Sequence, residues 1–159
     1  MPQAHLSAIL IRMAADRRIC AKVLLIDPDR RVLLFSGIDR ALPDDPPVWF
    51  PVGGAVEPGE TLEAAAIRET REETGFEIDD VGPALFTLRF EWAFEGSAYD
   101  QEETYFLVRV PGEPPTDAGW TEVEKATVVG HRWWAVADLR CTHDTVHPSG
   151  LADLLDRFL

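Results

Sequence analysis

The sequence predicts a single α/β domain over residues 1–159, and three observations carry the prediction. Branched-aliphatic runs at 19–26 and 32–35 read as strands, residues 62–74 are dense in helix formers, and residues 86–94 alternate apolar and polar side chains with period two. With 159 residues and 46% hydrophobic content the chain can bury one core, and little length is left for a second.

Taken in order, ICAKVLLI (19–26) and VLLF (32–35) flank Asp27-Pro28-Asp29-Arg30, whose turn formers predict a hairpin. The polar, proline-rich SGIDRALPDDPPV that follows has the composition of an ordered surface loop bordering a ligand. Leu62 to Thr74 is the clearest helix, with Thr61 as N-cap and Gly75 as the residue able to take positive φ at its end. Phe86, Leu88, Phe90, Trp92 and Phe94 then mark a strand, Gly96 to Asp100 a turn, and TYFLVRV (104–110) the returning strand. PGEPPTDAGW (111–120) is a loop inside the domain. RWWAV (132–136) reads as a strand, VADL as the start of a short helix and SGLADLLDRFL as a closing amphipathic helix. Its stripe of Leu151, Leu154, Leu155 and Phe158 is expected to seal the core, with a homodimer interface as the alternative.

Charge narrows the function. The formal net charge of −13, from 28 acidic and 15 basic residues, argues against duplex nucleic acid and against an anionic membrane as partners. A polyanionic ligand would need a divalent cation to approach. Cys20 and Cys141 stand far apart with no C-x-x-C pair, which suits a reducing cytoplasm. In MPQAHLSAILIRMAADRR the basic residues follow a short apolar run, so neither a secretory leader nor a membrane span is expected.

The chemistry concentrates on the 62–74 helix. Positions three and four apart share a helical face, so Glu69, Glu72 and Glu73 converge on the side where Leu62, Ala65 and Ala66 call for burial. Unpaired anions there would cost several kcal/mol each unless protonated or matched by a cation. Clustered carboxylate oxygens suit Mg²⁺ or Mn²⁺. The alternative is a solvated acidic face with Arg68 paired to Glu72. The preceding strand-to-helix connection, with Gly53-Gly54 and Pro58-Gly59, adds backbone freedom and bare carbonyls able to approach a metal.

Together Gly54, Glu60, Arg68-Glu69, Glu72-Glu73, Gly75 and Phe76 reproduce the spacing of the Nudix box, and residues 54–76 resemble that signature of the Nudix hydrolase family. Thr70 departs from it, standing where an aliphatic is usual. The resemblance implies an α/β/α sandwich with a mixed sheet and hydrolysis of a nucleoside diphosphate derivative with Mg²⁺ or Mn²⁺. It further implies Glu72, Glu73 and the Gly53 carbonyl as metal ligands, Glu69 as base or further ligand, Arg68 as its holder and Glu60 as support. Relatives recruit one more acid from beyond the box. Here Glu103 is preferred to Glu102, since strand neighbours point to opposite faces, against the alternative of two solvated glutamates.

Trp49 and Tyr105 are candidates to stack on a base, and core packing is the competing role of each. Arg40, Arg89 and Arg132 are candidates for phosphates, with an ordinary surface position as the competing role. His143 and His147 have an i,i+4 spacing but no glutamate between them, and Pro148 follows, so zinc is not expected. At the offset where subfamilies carry substrate markers the chain reads FEWAF (90–94), and none of the markers is present. Two other classes compete with a pyrophosphohydrolase. A catalytically weak nucleotide-binding or regulatory module is disfavoured by the intact acidic set, and a diphosphate isomerase by the lack of matching cysteine and glutamate motifs.

Overall fold

The computed structural model describes residues 17–159, so the amino-terminal run up to Asp16 lies outside the described residues. One mixed sheet organises them. It contains β1 (Arg17–Ile26), β2 (Val32–Gly37), β3 (Val48–Ala55), β4 (Phe86–Phe94), β5 (Ser97–Arg109), β6 (Val128–Trp134) and the short β7 (Thr145–Val146). The helices are α1 (Leu62–Thr74), α2 (Glu122–Thr127), α3 (Val136–Cys141) and α4 (Leu151–Phe158).

β1 runs through the middle. It pairs in parallel with β5 along its whole length and antiparallel with β3 over Cys20–Val23, while the turn at 27–30 brings Ile26 opposite Val32 of β2. Being covered on both faces, it reads from Ile19 to Ile26 as an apolar run broken only by Lys22, close to the pattern of central parallel strands. β3 is shared: its first half pairs with β2 and its second with β1, so the sheet curls as the strand passes from one to the other. Pro51 sits at that hand-over, opposite Leu34. β2 carries β6 on its other edge, and β3 carries β7.

The two sheet faces make two cores. Ala21, Val23, Leu25, Phe35, Val52 and Phe106 pack beneath Ala65 and Ala66 of α1. Leu24, Ile26, Leu34, Tyr105 and Trp134 pack beneath Leu139 of α3 and Leu151 and Leu155 of α4. The layers are therefore helix, sheet, helix, as expected. The closing stripe lies in the second core, with Leu155 fully buried and Phe158 stacked on Phe86.

The structure also departs from the expectations. The turn read at Gly96 to Asp100 is tighter: positive φ at Glu95 and Gly96 closes it, and β5 already starts at Ser97. The strand read at 132–136 is the end of β6, with Ala135 as the N-cap of α3. β3 bears out the strand expected before the Gly53-Gly54 connection, while α2 and β7 were not expected as regular elements. Among the described residues no helix is long and apolar enough to cross a membrane.

Candidate metal and phosphate site

The site begins where β3 ends. Gly53 has φ of 133°, and a Cβ there would lie 2.1 Å from the Ala21 carbonyl oxygen, so only glycine lets the strand press against β1 at this point. Its N–H donates to Glu73 Oε2 at 2.9 Å, and Lys22 Nζ reaches its carbonyl at 3.4 Å. At Gly54 a Cβ would meet Glu69 Oε1 at 2.6 Å, so the missing side chain is the space this carboxylate occupies. The loop then enters α1, whose N-cap Thr61 accepts from the Ala64 N–H and whose end is closed by Gly75 at positive φ.

Arg68 organises the acids. Its Nε and Nη2 donate to the two oxygens of Glu60 at 2.8 and 3.0 Å, and Nη2 also reaches the Ala55 carbonyl at 3.0 Å. Its Nη1 donates to Glu69 Oε1 at 2.8 Å and Glu72 Oε2 at 3.1 Å. One planar guanidinium therefore ties the loop to the helix and holds three carboxylates at once. These bonds raise the Arg68 pKa, led by the bond to Glu60, and the same contact lowers that of Glu60. Thr70, the departure from the box, is fully buried and returns its hydroxyl to the Ala66 carbonyl at 2.8 Å, leaving no orphaned polar group.

Not all the expected acids meet. Glu69 and Glu73 stand together, and with Glu124 they offer three carboxylate oxygens within 4.8 Å of one another. Burial pushes the Glu73 carboxyl up to about 8, Lys22 opposes the rise, and Glu69 adds to it. Burial likewise raises Glu69 against the pull of Arg68. Glu72 is turned outward onto Arg68 and is the more solvent-exposed partner of that pair.

Glu124 is the acid that the sequence reading missed. The 111–121 segment folds back over the end of α1: Thr116 N–H donates to the Thr74 carbonyl, Trp120 Nε1 to that of Glu73, and Gly119 leaves no room for a Cβ against Glu72. This carries α2 to the site. Thr121 and Glu124 form a capping box, a signal legible in T-E-V-E, but nothing local says that the box lands beside Glu73.

Glu103 is not part of this cluster. It is 2% exposed and accepts from Gln101 Nε2 at 2.6 Å and the Tyr105 hydroxyl at 2.5 Å, and its Oε2 lies 2.8 Å from His147 Nε2. Burial alone would raise its pKa, yet the His147 bond, the Lys22 charge and the Tyr105 hydroxyl hold it down at about 2. Tyr105 is fully buried and stacked on Phe86, a core role that leaves no ring face for a base. Trp49 is half-buried, with Nε1 donating to Asp144 at 3.0 Å and its ring edge-on to Trp134. Arg40, Arg89 and Arg132 are bound to Glu95, Asp100 and Asp138.

Comparison with known proteins agrees with the box and the layers. The NUDIX domain model matches residues 16–158. The chain is 33% identical over 120 residues to Nudix hydrolase 19, chloroplastic, of Arabidopsis thaliana, covering 67% of this chain but 26% of that protein. It is 32% identical over 127 residues to the RNA pyrophosphohydrolase of Erythrobacter litoralis, covering 67% of this chain and 76% of the relative. In fold it is similar to the crystal structure of a MutT protein from Methanosarcina mazei Go1, with a TM-score of 0.68, 18% identity and coverage of 91% and 94% of the two chains. A domain match of this extent, carried on this sheet and this arginine-bound loop and helix, makes the chain a member of the Nudix hydrolase family.

Proposed function

We propose that the protein hydrolyses a diphosphate linkage in a nucleoside diphosphate derivative, with Mg²⁺ or Mn²⁺ as cofactor. The observation that supports this most is the juxtaposition of Glu69, Glu73 and Glu124, with Gly54 leaving the room that the Glu69 carboxylate fills. The raised pKa values of Glu69 and Glu73 mark carboxylates short of positive charge, the condition a divalent cation relieves. The donor set is all oxygen, which suits these two ions. Glu73 and Glu69 would hold the metal, with Glu124, with the Gly53 carbonyl, and with Glu72 once it swings from Arg68. When bound, the ion polarises the phosphoryl oxygens and acidifies water.

The protein's own groups supply the rest. Glu69 takes the proton from the attacking water, and its Oε1 is fixed for that task by Arg68. Glu60 holds the other side of the guanidinium, so it acts through Arg68 and not on substrate. Lys22 keeps the Gly53 carbonyl in place from the neighbouring strand. Cys20 and Cys141 are both free, which supports a reducing, cytoplasmic setting.

The test is a hydrolysis screen over nucleoside triphosphates, dinucleotides, nucleotide sugars and capped RNA, with Mg²⁺ or Mn²⁺ and with chelator. Metal-dependent turnover of at least one class is expected, with Glu73→Gln losing metal affinity and activity by at least about tenfold. Glu103→Gln should leave Mn²⁺ affinity unchanged, because its carboxylate belongs to another network. Normal Mn²⁺ binding with no turnover of any nucleotide would reject the hydrolase reading in favour of a binding module.

A further inference from the structure

Lys22 is a buried cation whose contacts do not account for it. It interrupts the apolar run of β1 and is 8% exposed. The other buried charged side chains among the described residues each have an ion partner: Asp27 has Arg31, Glu69 has Arg68 and Glu103 has His147. Lys22 makes no such pair among the described residues. Its one hydrogen bond runs to the Gly53 carbonyl and is long at 3.4 Å, and its ammonium lies 5.7 Å from the centroid of the Phe50 ring. An ammonium carries three donors, and leaving two of them unused in a buried site costs free energy.

The surroundings supply a reason for the charge. Lys22 lies directly across the β1–β3 pairing from Gly53, whose N–H in turn donates to Glu73 Oε2. On the other flank of β1, Glu103 of β5 stands opposite Cys20. Burial pushes the Glu73 and Glu103 carboxyls up, and the Lys22 charge pulls both back down, although it bonds to neither. The ammonium thus fills a cation's place among these acids while resting on a backbone oxygen.

That oxygen is also the backbone ligand proposed for the metal. An ammonium and a divalent ion seated against one carbonyl repel each other strongly, and more so in a site shielded from water. Lysine is the partner able to yield. It is tied by a single long bond and hangs on a flexible four-carbon stem, whereas the ion gathers the oxygens of several carboxylates.

We propose that Lys22 is a built-in counter-cation, seated on the Gly53 carbonyl in the metal-free protein and expelled from it when Mg²⁺ or Mn²⁺ binds, so that this exchange sets metal affinity. The inference rests on the metal cofactor proposed for the hydrolase and not on which diphosphate is cleaved. Lys22 braces the carbonyl in the resting protein, and the ion braces it afterwards.

Lys22 and Lys125 are the only lysines in the chain, so the exchange is readable on one resonance. In protein carrying ¹³C at the lysine Cε, Lys125→Gln removes one of the two NMR signals and assigns the other to Lys22. Lys125 is exposed and paired with Glu122, which makes it the internal reference. During titration with Mg²⁺ the Lys22 signal should shift in step with the occupancy measured by calorimetry, while the Lys125 signal stays. Lys22→Met keeps most of the stem and drops the charge, and it should bind Mn²⁺ at least about fivefold more tightly than wild type. A Lys22 signal that does not move at saturating Mg²⁺ overturns the exchange. An unchanged or weaker Mn²⁺ affinity in folded Lys22→Met overturns it too, since the lysine would then support the bound metal's ligand. Should that variant fail to fold, the wild-type titration decides by itself. A Lys22 response to metal in a protein inactive on every diphosphate keeps the exchange and rejects the hydrolase reading. Metal-dependent turnover with no Lys22 response does the reverse, and absence of Mg²⁺ and Mn²⁺ binding rejects both.

Discussion

Glu73 carries the charge cost of the acidic cluster into the stability of the fold. Its carboxyl is buried, accepts one backbone N–H and faces Glu69, and it stays protonated up to about pH 8 against an ordinary value of 4.5. Between those two values the unfolded chain has lost a proton that the folded chain keeps. Folding stability without metal therefore falls as pH rises through that window, by up to roughly 1.4 kcal/mol per pH unit for this group. Below about pH 4.5 the penalty is absent, and above about 8 it is complete. Thermal melts in chelator at pH 5.5 and 8.5 should show wild type losing stability at the higher pH, and Glu73→Gln should lose markedly less. Saturating Mg²⁺ should restore wild type at pH 8.5 and do far less for the variant. Equal pH slopes for the two proteins would show that the carboxyl is not held protonated. Glu103 behaves in the opposite sense. Its pKa is depressed to about 2, so its contribution is present at neutral pH and lost as pH falls from 4.5 towards 2.

At the scale of elements, the β3 to α1 connection shows why two adjacent glycines are not equivalent. A Cβ on Gly53 would collide with β1 backbone and would have to exist at φ of 133°, so substitution there should disrupt the sheet. A Cβ on Gly54 meets only the end of the Glu69 side chain, which can move. Gly54→Ala should accordingly cost under about 1 kcal/mol in stability yet lower kcat by roughly 10²-fold, because the displaced carboxylate no longer holds its position. Denaturant unfolding beside steady-state kinetics checks this, and a variant with normal kcat would place Glu69 outside the chemistry. The same elements explain what the sequence could reveal. α1 and β4 were legible because their signals are local: a cap at Thr61, a glycine stop at Gly75, a period of two from Phe86 to Phe94. A strand before Gly53 could be read, but the extent of β3 could not, because Pro51, Gly53 and Gly54 are poor strand formers and pairing with two partners overrides that preference. β7 is two residues long, and α2 owes its place at the site to the loop that wraps α1. Glu69, Glu73 and Arg68 could be read from their spacing. The separation of Glu103 from them depends on how β5 and His147 meet across 44 residues, which no local pattern encodes.

The whole molecule imposes a field on whatever approaches. With a formal charge of −13, the protein repels the anionic substrate class proposed for it. Part of the basic complement is already committed: Arg40, Arg89, Arg132 and Arg140 are each matched by a neighbouring carboxylate, and Arg68 is occupied by Glu60, Glu69 and Glu72. Under the proposed metal dependence, a divalent ion offsets most of the charge at the three-carboxylate cluster but leaves the distant charge in place. The Debye length falls to about 10 Å near 0.1 M salt, which screens that distant charge and spares contacts made inside the site. At fixed, saturating metal, kcat/KM for a nucleotide substrate should therefore rise a few-fold between 10 and 150 mM KCl, while kcat changes little. Enzymes whose basic surfaces steer anions show the opposite slope. Stopped-flow association of a slowly hydrolysed nucleotide analogue across the same salt series isolates the encounter step. A monotonic fall in its association rate would mean that local positive charge at the site governs approach in place of the net field.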